Sequence, residues 1–163
     1  MRNILIFILL ATAIGLGNNI SAQEKITRFR FAGYKVIFIP SDVFRIEIDH
    51  PEWGNQETKG NLFTLTIKDA KGKMPKDTVR IYTDSVRSIN MDYSELVMDK
   101  QMGADSLTVS IGSSHGTVYV EANHLKIHAK AGSHITLRGT AQSLECQSKG
   151  HSYIDQSQFH QKK

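Results

Sequence analysis

The chain has 163 residues, of which 40% are hydrophobic, 22% are charged and 3 are prolines, a composition typical of one folded domain. Its 20 Lys and Arg against 16 Asp and Glu give a formal net charge of +4, but the two signs alternate along the chain without a basic block, which argues against a nucleic-acid-binding arm. A single cysteine, Cys146, excludes an intramolecular disulfide framework and a thiolate-rich metal site, so the core must form by apolar packing alone.

The first 22 residues have the organisation of a secretory signal peptide. Arg2 supplies the positive charge, residues 4–16 are the apolar segment, and residues 20–22 (ISA) offer a small-residue cleavage site before Gln23. The apolar segment is shorter than the roughly 20 residues of a membrane-spanning helix, which favours cleavage over the alternative of an uncleaved anchor. No cysteine follows it that could carry a lipoprotein anchor. We therefore expect residues 23–163 to form one exported domain without a transmembrane segment, in the periplasm, at the cell surface or outside the cell.

After the signal peptide, apolar residues recur at every second position. Phe29 and Phe31 are followed by Val36 and Phe38, and residues 43–49 and 62–68 repeat the same alternation. Groups of Gly, Pro, Asn and Asp separate these segments and are typical of turns. A period of two predicts β-strands and leaves no convincing helix, so we expect an all-β domain.

The second half of the chain contains an internal repeat with a period near 19 residues. Four serines recur after small or turn-forming residues and before a short aliphatic segment: Ser94, Ser114, Ser133 and Ser152, separated by 20, 19 and 19 residues. A second column of aliphatic residues lies between them: Val86, Leu107, Leu125 and Leu144. Each unit therefore contains two short predicted strands and two corners.

Such a period is typical of a parallel solenoid, because one unit cannot bury its inward residues alone, whereas units stacked about 4.8 Å apart share a continuous core. We predict a short right-handed parallel β-helix-like solenoid of about four coils, preceded by several strands. The serines would then form a ladder at one corner, and the leucines would fill the interior. An antiparallel meander or sandwich with evenly spaced strands is the alternative.

The repeated small and aliphatic residues resemble those of the GIN-domain family, the putative auto-transporter adhesin head proteins common in Bacteroidota. The segments that carry the resemblance are residues 106–109 (SLTV), 124–127 (HLKI), 131–141 (AGSHITLRGTA) and 150–155 (GHSYID), with 29–38 (FRFAGYKVIF) and 61–67 (NLFTLTI) in the front half. The resemblance covers nearly all of the chain after residue 22. It implies a β-helix-like domain exported to the cell envelope with an adhesin-like role, and it brings no catalytic residues.

One group of polar side chains follows the serine ladder by one position on each unit. We call Glu95, His115, His134 and Tyr153 the histidine column. Successive strand residues point to opposite faces, so the column should be stacked and outward-facing behind an inward-facing ladder. Two imidazoles and a carboxylate could in principle bind zinc, but no close-spaced ligand motif accompanies them. We therefore expect neither a metal nor another cofactor, and we treat the column as a candidate binding surface.

The sequence shows no convincing catalytic constellation. Ser114 and His115 are neighbours, as are Ser133 and His134, but adjacent strand side chains should point apart. The aspartates are scattered over predicted corners and are interpreted as turn residues. Cys146 continues the alternation of Leu144 and should be a small buried residue rather than a reactive thiol.

Aromatic residues at predicted corners give the other indication of binding. Trp53 lies in the turn at residues 51–55, which does not need a large ring, and Tyr34 and Tyr93 also lie near corners. We expect an exported, non-enzymatic envelope or surface domain that binds a glycan or an envelope or extracellular protein and no nucleic acid. A small secreted carbohydrate-active enzyme of solenoid type is the alternative, and it would need two acidic groups facing each other across a cleft.

Overall fold

The computed structural model describes residues 5–7, 24–68 and 77–162, and this part of the chain is all-β. Besides the strands it contains one turn of 3-10 helix, at Pro51–Trp53, and no α-helix. The strands are β1 (Leu5–Phe7), β2 (Arg28–Ala32), β3 (Lys35–Pro40), β4 (Arg45–Ile48), β5 (Gly54–Lys59), β6 (Leu62–Ile67), β7 (Thr78–Thr83), β8 (Ser88–Asp92), β9 (Glu95–Val97), β10 (Met102–Gly112), β11 (His115–Lys130), β12 (His134–Ser148) and β13 (Tyr153–Gln161).

All of these strands belong to one hydrogen-bonded sheet that curls into a half-barrel. The order is β1-β4-β7-β3-β9-β11-β10-β8-β2-β6-β5, and β12 and β13 follow along the other edge of β11. β1 lies inside the predicted signal peptide and pairs antiparallel with β4. The predicted cleavage site at residues 20–23 lies outside the described residues.

The parallel pairings follow the predicted repeat. Leu107 lies opposite Leu125, and Leu125 lies opposite Leu144, so the three leucines of the aliphatic column are confirmed in register. Val86, the fourth predicted member, lies one residue out of register with Leu107. β8 pairs with β10 in the same way, for example Ser88 with Thr108. Each of these strands thus lies beside the strand one repeat away, and the pairing is parallel as the sequence predicts.

Two features differ from a stack of units with two short strands each. In β11 and β12 the predicted short strands are joined into single bent strands of 16 and 15 residues, because pairing continues through the predicted corner, with Glu121 opposite Thr140 and Ala122 opposite Ala141. In the front half, β4 and β5 pair antiparallel with β7 and β6. The predicted right-handed solenoid of four coils stays a prediction, and the observed architecture is the curled sheet.

The core lies on the face of the sheet where the period-two pattern places its apolar residues. Phe29, Phe31 and Phe38 form an aromatic cluster, with the rings of Phe29 and Phe38 edge to face at 5.2 Å between centroids. Leu125 is 2% exposed, as predicted, but Leu144 is half-buried. The prediction that Leu144 is buried is wrong, because β13 pairs with β12 only as far as Ala141 and, among the described residues, no strand continues along that edge.

A close approach between strands explains the glycine at the start of β11. Gly116 lies opposite Leu96 of β9, and a Cβ atom at this position would be 2.2 Å from the Leu96 carbonyl oxygen. A real Cβ needs more than 3.0 Å, so any side chain would force the two strands apart. Packing therefore requires a glycine at this position, directly after His115, the first residue of β11.

Candidate functional site

The serine ladder lies at the corner that precedes β9, β11, β12 and β13, and its hydrogen bonds fix the spacing of these strands. The Ser94 backbone N–H donates to Ser114 Oγ at 2.9 Å, the Ser114 N–H to Ser133 Oγ at 3.2 Å, and the Ser133 N–H to Ser152 Oγ at 3.0 Å. Ser94, Ser114 and Ser133 are buried, so the predicted inward-facing ladder is confirmed there. Its role is structural, because each hydroxyl satisfies a backbone amide of the neighbouring strand.

The histidine column lies one residue beyond the ladder, and its four members are brought together by the register. His115 lies opposite Glu95, His134 opposite His115, and Tyr153 opposite His134. His134 and Tyr153 are exposed and meet edge to face, with 5.1 Å between ring centroids and an interplanar angle of 81°. The predicted stacking is therefore confirmed, and the use of this column for binding stays a prediction.

The column continues on its other side through a residue that the sequence analysis missed. Lys35 lies opposite Glu95, and its Nζ is 3.1 Å from Glu95 Oε1. It was missed because it lies far earlier in the chain, outside the repeat. A signal was present, since residues 32–37 (AGYKVI) match residues 131–136 (AGSHIT) with Tyr34 in the place of the ladder serine.

A shallow depression of about 490 Å³ runs along the column. Its lining includes Glu95 and His115 and, in the next outward row, Thr117 and Thr136, which lie opposite each other. In that row Asp155 lies opposite Thr136. Its pKa is held below the usual value mainly by the backbone N–H of Ser157 and, to a lesser extent, by the Ser157 hydroxyl. The surface thus offers positive, negative, imidazole and hydroxyl groups at the fixed spacing of the strands.

Tyr34 continues the buried ladder and is not the exposed aromatic residue that the sequence suggests. Its backbone N–H donates to Ser94 Oγ at 3.3 Å, and the residue is 0% exposed. The position is inward-facing, like that of the serines, so the ring enters the core. Burial, with smaller contributions from the charges of Asp77 and Glu52, raises the pKa of Tyr34 to about 12. Its hydroxyl is buried without a hydrogen-bond partner in the described part of the chain.

Trp53, the fifth predicted site residue, lies apart from the column in the 3-10 turn between β4 and β5. It is 43% exposed, as predicted for a ring on a loop, and it stacks on His50 with 4.1 Å between centroids and an interplanar angle of 10°. His50 Nδ1 lies 2.9 Å from Oδ1 of Asp77, whose side chain is 0% exposed. The sequence analysis missed this pair, because nothing in the spacing of His50 and Asp77 indicates contact.

The carboxylates and the serine-histidine neighbours can be placed in the same way. Ser114 is buried and His115 lies on the opposite face, so they do not meet, as predicted.

The aspartates are less scattered than expected, since Asp84 and Asp105 line one polar depression of about 510 Å³. Asp84 pairs with Lys25, and Asp105 accepts a hydrogen bond from an asparagine amide at 2.7 Å. Within residues 24–68 and 77–162, no group of three or more His, Cys, Asp or Glu could hold a metal ion.

Comparisons with known proteins agree with this fold. Residues 25–163 match the family described as putative auto-transporter adhesin, head GIN domain. A putative adhesin from Bacteroides fragilis superposes with a TM-score of 0.69 at 18% identity, covering 85% of this chain and 69% of that one. A putative adhesin from Parabacteroides distasonis gives a TM-score of 0.51 at 18% identity, covering 83% and 70%. No curated protein matches the chain. In the described part of the chain no helix has the length and apolarity to cross a membrane. The chain belongs to the head GIN-domain family of putative auto-transporter adhesins.

Proposed function

We propose that residues 23–163 form an exported, non-enzymatic, adhesin-like binding domain of the cell envelope or cell surface, built as a short right-handed parallel β-helix of about four coils. Membership of the GIN-domain family supports an adhesin-like surface protein. The parallel pairing of strands that lie one repeat apart in the sequence supports the helical path of the chain. The partner is a glycan or a protein of the envelope or of the extracellular space.

The observation that carries this proposal is the histidine column on its rigid support. The column lies one residue from a ladder of buried hydrogen bonds, so its side chains start from backbone positions that cannot shift independently. Adjacent members are about 4.8 Å apart. Because their backbone is already ordered, little conformational entropy of the protein is lost when a partner binds. Tyr153, 59% exposed, adds an aromatic ring to the polar groups of the column. Aromatic rings beside polar groups are typical of binding surfaces.

Binding can be tested by screening purified residues 23–163 against glycan arrays and pools of envelope proteins. For a partner found there, we expect His134→Gln and Tyr153→Ala each to weaken binding by about tenfold, which corresponds to about 1.4 kcal/mol. The matched control is His124→Gln, which alters another exposed histidine, at a position outside the column. Unchanged binding by both column variants would show that the column is not the binding surface.

Export is tested separately, because it rests on the N-terminal segment alone. We expect intact-mass analysis of the exported protein to show a chain that begins at Gln23. An exported species that retains residues 1–22 would favour a membrane anchor and contradict the proposed free domain.

One observation favours the alternative function, a small carbohydrate-active enzyme. Asp84 and Asp105 line the same depression, and paired carboxylates are what glycoside hydrolysis requires. Each carboxylate already has a partner, Lys25 and Asn123 respectively, which is typical of structural corner residues. Release of reducing sugar from a polysaccharide by the wild type, and its loss in Asp105→Asn, would establish the enzyme instead.

A further inference from the structure

We propose that Trp53 and His50 form a sugar-binding subsite that takes one pyranose ring of a neutral glycan on the open face of the indole. This subsite lies in the turn between β4 and β5, outside the histidine column. Sugar binding at this subsite therefore does not depend on what the histidine column binds.

The indole of Trp53 is held in place and is still accessible. One of its faces lies against the His50 imidazole, nearly parallel to it, with 4.1 Å between centroids. The residue remains 43% exposed although the imidazole covers one face of its ring. A tryptophan that only closed the end of the core would be buried. Here the ring rests on a polar side chain at the surface.

A buried carboxylate fixes the imidazole below the indole. Asp77 is 1% exposed and accepts hydrogen bonds from the His50 backbone N–H at 3.3 Å and the Thr78 N–H at 3.1 Å. Its Oδ1 also lies 2.9 Å from His50 Nδ1, and we assign the tautomer in which the ring nitrogen donates and the carboxylate oxygen accepts. Nε2 is then the ring atom left for a ligand hydroxyl. The arrangement orients a histidine through one nitrogen and presents the other.

The turn that carries the indole rests on a rigid base. The Tyr34 hydroxyl lies under Gly54, where a Cβ atom would be only 2.2 Å from the phenolic oxygen. Lys68 anchors the end of the turn, because its N–H donates to the Trp53 carbonyl at 3.0 Å and its Nζ to the Glu52 carbonyl at 2.9 Å. The ring is therefore oriented before any ligand arrives, which lowers the entropy cost of binding.

The chemistry of this surface matches a sugar. The axial C–H groups of a pyranose form a flat apolar patch with partial positive charge, and this patch complements the electron-rich face of an indole. The ring hydroxyls can reach a neighbouring imidazole nitrogen. Glu52 in the turn and Lys68 beside it carry opposite charges, so this pair supplies no net charge that would select an acidic sugar.

Trp53 is the only tryptophan in the chain, so its fluorescence reports on this subsite alone. Wild-type protein is titrated with cellopentaose, chitopentaose, mannopentaose and xylopentaose at millimolar concentrations. We expect at least one of them to change the emission of Trp53 in a saturable way. If none of the four does so, the proposal is overturned.

Calorimetry with the sugar that binds then tests the residues. We expect Trp53→Ala to weaken binding by at least about tenfold and His50→Ala to weaken it less, while Tyr153→Ala leaves it unchanged. Circular dichroism checks that the variants are folded, and Trp53→Phe, which keeps an aromatic face, should retain part of the affinity. Equal affinity of folded Trp53→Ala and wild type would overturn the proposal. Loss of sugar binding in Tyr153→Ala with Trp53→Ala unaffected would assign the glycan to the histidine column, which supports the proposed function and overturns this subsite.

Discussion

Replacing Ser114 with alanine removes one step of the serine ladder without creating a large cavity. In the folded protein, Ser114 Oγ accepts the Ser94 backbone N–H at 2.9 Å and donates to the Gly112 carbonyl at 2.7 Å. The Gly112 carbonyl also accepts the Tyr93 N–H at 3.0 Å, so it keeps a partner in the variant. The Ser94 N–H does not, and Ser94 is only 2% exposed. The substitution therefore leaves one buried donor unsatisfied.

The expected cost follows from that single group. An unsatisfied buried backbone donor destabilises a protein by about 1–3 kcal/mol, whereas loss of an exposed hydroxyl costs almost nothing. For a domain of this size, each kcal/mol lowers the melting temperature by roughly 4 °C. We therefore expect Ser114→Ala to lose about 1–3 kcal/mol of unfolding free energy. The matched control, Ser106→Ala, changes an exposed serine of β10 and should stay within about 0.5 kcal/mol of wild type.

Urea unfolding followed by circular dichroism measures both variants, and the emission of Trp53 gives a second probe of the same transition. Equal slopes with a lower midpoint for Ser114→Ala would show a true loss of stability. Midpoints of Ser114→Ala and Ser106→Ala that agree within error would refute the argument, because the ladder hydroxyl would then carry no part of the stability.

Three further predictions concern the core and the cysteine. Leu125→Ala should cost about 2–5 kcal/mol of unfolding free energy and Leu144→Ala clearly less, because only the first side chain is buried, and equal midpoints in urea would contradict this. Gly116→Ala should prevent folding, since its Cβ would be 2.2 Å from a backbone oxygen. Gly103→Ala, whose Cβ would have no neighbouring atom of the described residues within 4 Å, should give a normal thermal melt. Burial raises the pKa of the Cys146 thiol, so at pH 8 its thiolate fraction and its alkylation rate should be lower than those of a free cysteine, and an equal rate by mass spectrometry would contradict this.

The part of the site that could be predicted is the part encoded by the repeat. Register in a parallel sheet follows from residue spacing, so serines that recur with the period of the repeat place His115 opposite both Glu95 and His134 before any coordinates are known. The period-two alternation then assigns the ladder to the inside and the column to the outside. These two rules are local, and they hold wherever the strands pair as the period requires.

The remaining features depend on contacts between segments that share no spacing. Lys35 joins the column from a distant part of the sequence because β3 inserts between β7 and β9, an order that the period does not encode. His50 and Asp77 likewise meet only in the folded sheet, since they are separated by 27 residues that show no common spacing. Leu144 is half-buried because β13 ends its pairing early, and the length of a partner strand cannot be read from the alternation of β12 itself. Pairing order and strand length are set by the packing of the whole sheet, so a single-sequence pattern misses them.

The stacking of one repeat unit beside the next means that the histidine column can change in length only by whole units. Duplicating the unit that forms β11 would add one strand to the sheet, and with it one hydroxyl to the ladder, one residue to the column and one leucine to the interior. The histidine column would lengthen by about 4.8 Å with each duplication and by no smaller amount. Relatives could therefore match ligands of different length by changing the number of units, with the corner chemistry left untouched, and the spacing of the units would act as a ruler for whatever they bind.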